Sequence, residues 1–112
     1  MEIDNELLLN TFVSENEEGL AVMEQAILEL ESHPEDMELV NTVFRVIHSF
    51  KGNAAIFELK HAQEFAHALE DLMDKIRTHQ LRFTPDIADI LLASRDIMRK
   101  LASQAVSGKD AA

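Results

Sequence analysis

The sequence predicts an all-α protein folded as an antiparallel four-helix bundle, and three observations lead there. Apolar residues recur at steps of three and four through four long segments, the period of a helix with one buried stripe. Three short breaks separate those segments, at Ser32-His33-Pro34-Glu35, at Glu58-Leu59-Lys60 and at Thr84-Pro85. Three glycines and two prolines in 112 residues leave little turn material for strands. Amphipathic helices joined by short connections bury their stripes by packing antiparallel.

The elements follow in order. Asp4 is the expected N-cap of a first helix running to about Glu31, with Leu8, Phe12, Leu20, Met23, Ile27 and Leu30 inward. Gly19 interrupts that stripe where another helix is expected to come close. Proline disfavours helix at the residue before it, so His33-Pro34 ends the segment. The second helix opens near Glu35 or Asp36, acids suited to a helix N-terminus, and its stripe is Val40, Val43, Phe44, Ile47, Phe50, Ala54 and Phe57. The third runs from about Leu59 to Thr78, with Phe65, Ala66, Leu69, Leu72, Met73 and Ile76 inward and Arg77 and His79 at its cation-favouring end. Thr84 at N-cap and Pro85 at N1 start the fourth, which continues through Ile87, Leu91, Ile97, Met98 and Leu101. Residues 1–106 form one domain, and 107–112 are expected to be a flexible tail or the start of an interdomain linker.

Composition bounds the chemistry. Without cysteine there is no disulfide and no thiolate metal site, and no apolar run reaches the roughly 18 residues of a membrane span. Met1-Glu2-Ile3-Asp4 is no signal peptide, so a cytoplasmic location is expected. The net charge is −11, and every Lys and Arg lies at Arg45 or later while 12 acids precede it. Such a surface repels nucleic acid and suits either plain solubility or a basic protein partner.

The second helix carries the reactive candidate, in the run His48-Ser49-Phe50-Lys51-Gly52. His48 follows Ile47 and so falls at the rim of the stripe. Lys51 and Gly52 are one turn on. A glycine inside a helix costs about 1 kcal/mol against alanine, and here it clears space beside the imidazole for an incoming anion, read as a phosphoryl group. Gln63, His67, Glu70, Asp74 and Arg77 form one polar stripe on the third helix. If the two helices are neighbours, Glu70 can accept a hydrogen bond from one ring nitrogen of His48. That fixes the tautomer and leaves the other nitrogen with an outward lone pair, more basic and nucleophilic toward phosphorus. Lys51 and His67 are expected to offset charge on the phosphoryl oxygens. The plain structural alternatives are a rim histidine satisfied by the fold, a solvated lysine and a glycine at a helix contact. His33, His61 and His79 lack such company and read as structural or solvent-facing.

The run from His48 to Gly52, followed by Ala54, Ala55 and Phe57, resembles the signature of the histidine phosphotransfer (HPt) domain. Phe44-Arg45 before it, Gln63-Glu64, the segment His67–Asp74 (HALEDLMD) and Thr84 to Met98 extend the resemblance over nearly the whole chain. Within the family it is most similar to the N-terminal P1 domain of chemotaxis histidine kinases of the CheA type. The resemblance implies that His48 is the phosphoacceptor, Glu70 orients the imidazole, Lys51 and His67 support it, and Gly52 keeps access open. It implies phosphorylation by an ATP-binding kinase domain and onward transfer to an aspartate on response regulator receiver domains. The segment is then a phosphoacceptor and not a catalyst, part of a histidine protein kinase, with ATP and Mg²⁺ held by partner domains. Asn53 departs from the very small residue that often stands there. A fifth helix common in the chemotaxis type would lie beyond the chain end, so an excised, monomeric domain is expected. The alternatives are a stand-alone or hybrid-kinase phosphorelay module, a structural bundle, and a metal site of His48, His67 and Glu70; the paired Glu-x-x-His pattern usual in carboxylate–metal bundles is missing for the last.

Overall fold

Side chains that reach back to free backbone amides set the starts of the second and fourth helices. The computed structural model describes residues 5–106 and contains, among them, α1 (Asn5–Ser32), α2 (Met37–Ile56), α3 (Lys60–Arg77) and α4 (Pro85–Val106). Asp36 caps α2, its carboxylate accepting from the amides of Glu38 and Leu39. Thr84 Oγ1 accepts from the Ile87 amide at 3.3 Å and Pro85 takes the first helical position, as its sequence predicts. The expected Asp4 cap and the tail at 107–112 lie outside the described residues.

The helix ends are less conventional. At the close of α2 the Glu58 amide bonds to Ala55 O and the Leu59 amide to Ala54 O. At the close of α3 the His79 amide bonds to Ile76 O and the Gln80 amide to Lys75 O. Both are Schellman caps, which satisfy carbonyls left over at a helix end and need a left-handed residue, usually glycine. Here Glu58 (φ 55°) and His79 (φ 63°) take that conformation. The weak break expected at Glu58-Leu59-Lys60 is therefore a real reversal of the chain.

Residue pairs across each contact run in opposite directions, which makes the bundle antiparallel. Arg99 meets Glu17 and Arg95 meets Glu24 between α4 and α1. Phe12 packs on Phe50 and Phe57 between α1 and α2. His48 meets Glu70 between α2 and α3, while α3 and α4 touch less than those three pairs do. Gly19 does mark a close approach: a Cβ there would lie 3.4 Å from Val46 Cγ1 of α2. The core is the buried stripe of all four helices, from Phe12, Leu20, Met23, Ile27 and Leu30 through Ile47, Met73 and Leu91 to Met98.

Two expected core positions are corrected. Leu8 is exposed, and Leu9 packs against the core in its place, because Leu9 is nearer the centre of the stripe defined by Phe12, Asn16 and Met23. Ile97 is also exposed: the α4 stripe runs through Leu91, Ser94 and Met98, which leaves Ile97 on the outer side.

Candidate functional site

His48 and Glu70 meet because each stands one position after a buried leucine or isoleucine. On α2, Val43, Ile47, Phe50 and Ala54 are buried, so His48 turns to the rim. On α3, Ala62, Ala66, Leu69 and Met73 are buried, so Glu70 turns to the facing rim.

The contact is short. His48 Nδ1 lies 2.6 Å from Glu70 Oε2, and Lys51 Nζ donates to Glu70 Oε1 at 2.7 Å. The His48 side chain is 64% exposed and that of Glu70 only 12%. Burial by itself would raise the Glu70 pKa, but hydrogen bonds from Lys51 and His48 and the positive charge of Lys51 outweigh it, and the carboxyl is held below its ordinary 4.5. Glu70 is therefore a carboxylate at neutral pH and accepts only. Nδ1 must donate, which puts the lone pair of the neutral ring on Nε2, on the exposed side. An imidazole in that tautomer, backed by a carboxylate, is a nucleophile aimed at solvent.

The other expected site residues fall into two groups. Lys51 joins the hydrogen-bonded set, spanning from α2 to the carboxylate. His67 does not: it is 64% exposed and lies 3.6 Å from Asp71, one turn along its own helix. With Lys51, Gly52, Ala55, Gln63 and Glu64 it borders an open hollow beside the site. A Cβ at Gly52 would meet nothing within 4 Å, so the glycine clears this hollow and not the face of the His48 ring. His33, His61 and His79 are exposed and stand apart from His48. Among the described residues, no three or more of His, Asp and Glu converge on one point that would hold a metal ion. His48 and Glu70 instead satisfy each other, with His67 turned to Asp71.

One neighbour of the ring reads in the sequence as a stripe residue and not as part of the site. The Phe44 ring lies nearly parallel to that of His48, with centroids 6.0 Å apart and 10° between planes. Its position four residues before His48 was the available signal, since that spacing stacks side chains on one helix face. Among the described residues, no helix is long and apolar enough to cross a membrane.

Comparison with known proteins covers nearly all of this arrangement. A family model described as the Hpt domain matches residues 7–106. Chemotaxis protein CheA of Klebsiella aerogenes is 40% identical over 100 residues, covering 89% of this chain and 15% of that protein. Sensor histidine kinase CheAY of Helicobacter pylori is 35% identical over 98 residues, covering 88% of the chain and 12% of that protein. The chain thus spans only a small part of these relatives' length. Among solved structures, the CheA phosphotransferase domain from Thermotoga maritima superposes with a TM-score of 0.87 at 34% identity, covering 93% of this chain and 99% of that one. The phosphorylated P1 domain of CheA3 in complex with CheY6 from R. sphaeroides has a TM-score of 0.83 at 25% identity, covering 92% and 80%.

Proposed function

This chain belongs to the histidine phosphotransfer (Hpt) domain family, and from that premise we propose that His48 Nε2 carries a phosphoryl group between a kinase and a response regulator. The observation that carries the reading is the 2.6 Å bond from Nδ1 to Glu70, which makes Nδ1 the donor, so that the lone pair of the neutral form lies on Nε2 of an exposed ring. In the first transfer the Nε2 lone pair forms the N–P bond while the bond from the γ-phosphorus to the bridging oxygen of ATP breaks, and ADP leaves with that electron pair. The Nδ1 proton stays in place, so the ring becomes cationic, and the Glu70 carboxylate beside it offsets the new charge. In the second transfer a carboxylate oxygen of a receiver-domain aspartate attacks phosphorus. The N–P electron pair returns to Nε2 and the neutral ring is regenerated.

Lys51 holds the second carboxylate oxygen and keeps an ammonium close to the phosphoryl oxygens, and His67 contributes from the far side of the hollow. Gly52 leaves that hollow open to the partner. With no glycine-rich phosphate loop in the sequence, ATP and Mg²⁺ are assigned to the partner domains, and this domain to the role of substrate and carrier. The CheA and CheAY relatives favour a chemotaxis kinase over a stand-alone relay module. The R. sphaeroides neighbour, phosphorylated and bound to CheY6, supports a receiver domain as the onward partner. A monomeric domain in the cytoplasm, where ATP is supplied, completes the proposal.

The test is phosphorylation by a CheA-type catalytic core with labelled ATP, comparing wild type with His48→Gln. Acid-labile, alkali-stable label on wild type alone is expected. Equal label on His48→Gln removes His48 from the mechanism.

A further inference from the structure

His48 is exposed, and a single hydrogen bond at Nδ1 fixes one atom of its ring without fixing the plane. The second torsion of histidine is broad and roughly two-fold, so the ring can pivot on that bond and swing Nε2 away from any defined direction. A contact on the ring face would remove this freedom, and the structure contains one. Phe44, one turn earlier on α2, lies within 10° of parallel to the imidazole, at a centroid separation suited to an offset stack. Phe44 is itself held. The guanidinium carbon of Arg77, on α3, sits 4.0 Å from the centre of the Phe44 ring, a cation–π contact. Arg77 Nη1 is in turn bonded to Asp74 Oδ1 at 3.3 Å. Arg77 follows Glu70 by seven residues, so the face of α3 that presents the carboxylate presents the guanidinium two turns on.

We propose that Phe44, braced by Arg77, is a positioning platform that sets the plane of the His48 ring, so that Nδ1–H meets Glu70 while Nε2 faces the phosphoryl donor. This rests on His48 being the phosphoacceptor. Neither residue touches the phosphoryl group. Their effect is on how often the ring is correctly aimed.

The test uses the ¹⁵N-histidine-labelled domain, with ring tautomer read by two-bond ¹H–¹⁵N correlation and the initial rate of phosphorylation measured with phosphoramidate as donor. Phe44→Leu keeps apolar bulk but removes the flat face. It is expected to lower the Nδ1–H fraction and slow phosphorylation about three- to tenfold, the rate equivalent of one aromatic pair. Phe44→Tyr restores the face and both readouts. Arg77→Gln, at an exposed position, shifts both in the same direction as Phe44→Leu with helix content unchanged. Wild-type tautomer and rate in Phe44→Leu and Arg77→Gln overturn the platform. If Phe44→Leu fails to fold, Arg77→Gln decides between the same two results. A wild type that takes no phosphoryl group from phosphoramidate or from the kinase core defeats the phosphoacceptor reading, while the tautomer measurement still decides the platform.

Discussion

Both oxygens of Glu70 are committed, one to His48 and one to Lys51, and this double engagement makes the site rigid at its base. Glu70→Ala removes a charge-assisted bond worth about 1.5–3 kcal/mol, so phosphorylation should slow by roughly 10- to 100-fold while circular dichroism stays that of the wild type. An unchanged rate would take Glu70 out of the mechanism. The same carboxyl gives a pH signature. Its folded pKa lies below the ordinary 4.5, so the folded state binds fewer protons than the unfolded chain in that range. Its stabilisation is complete above about 4.5 and disappears as pH falls through the lower folded value. Denaturant melts of wild type and Glu70→Gln should therefore diverge at neutral pH and converge under acid conditions. Parallel curves across that range would show that the pair contributes nothing to stability.

At the scale of the helix, two glycine questions separate fold from function. Gly52 occupies a helix interior with open space around its missing Cβ. Gly52→Ala should therefore stabilise the domain by about 1 kcal/mol and yet slow transfer from the kinase, because the methyl fills the hollow from which a partner approaches. A variant that is more stable and equally fast would show that the hollow is not used. Glu58 is the converse case, a left-handed residue that is not glycine. Glu58→Gly should raise stability by about 0.5–1 kcal/mol, a few degrees in Tm. These ends were the least legible part of the chain. A Schellman cap is usually announced by glycine, and here glutamate and histidine hold the left-handed position instead. The starts at Asp36 and Thr84 were legible because the capping atom belongs to the residue that names it. Helical phase is legible only to within one position, so the pattern alone does not separate Leu8 from Leu9 or turn Ile97 outward.

The whole molecule is a register between two rims. His48 and Glu70 are 22 residues apart in sequence, and only the antiparallel docking of α2 on α3 brings them together. That pairing was anticipated because one polar stripe faced one histidine. The link from Lys51 to the carboxylate was not, since a four-carbon side chain reaches many acceptors from one position. Nor was the Phe44 stack, because Phe44 reads in the sequence as one more member of the apolar stripe. The docking itself depends on the core beneath it. Ile47 is wholly buried one position from His48, and Ile47→Ala should cost about 2–5 kcal/mol in denaturant unfolding. A loss well under 1 kcal/mol would mean that the rims hold their register without that packing.

The claim on which everything else turns is that Nε2 of His48 is the atom that takes the phosphoryl group. Two-bond ¹H–¹⁵N correlation on the ¹⁵N-histidine-labelled domain, recorded before and after phosphorylation, tests it directly. The account predicts an Nδ1–H tautomer at His48 beforehand and phosphorus on Nε2 of that ring afterwards, with the other four histidines unmoved. Phosphorus on Nδ1, or on His67, would contradict it.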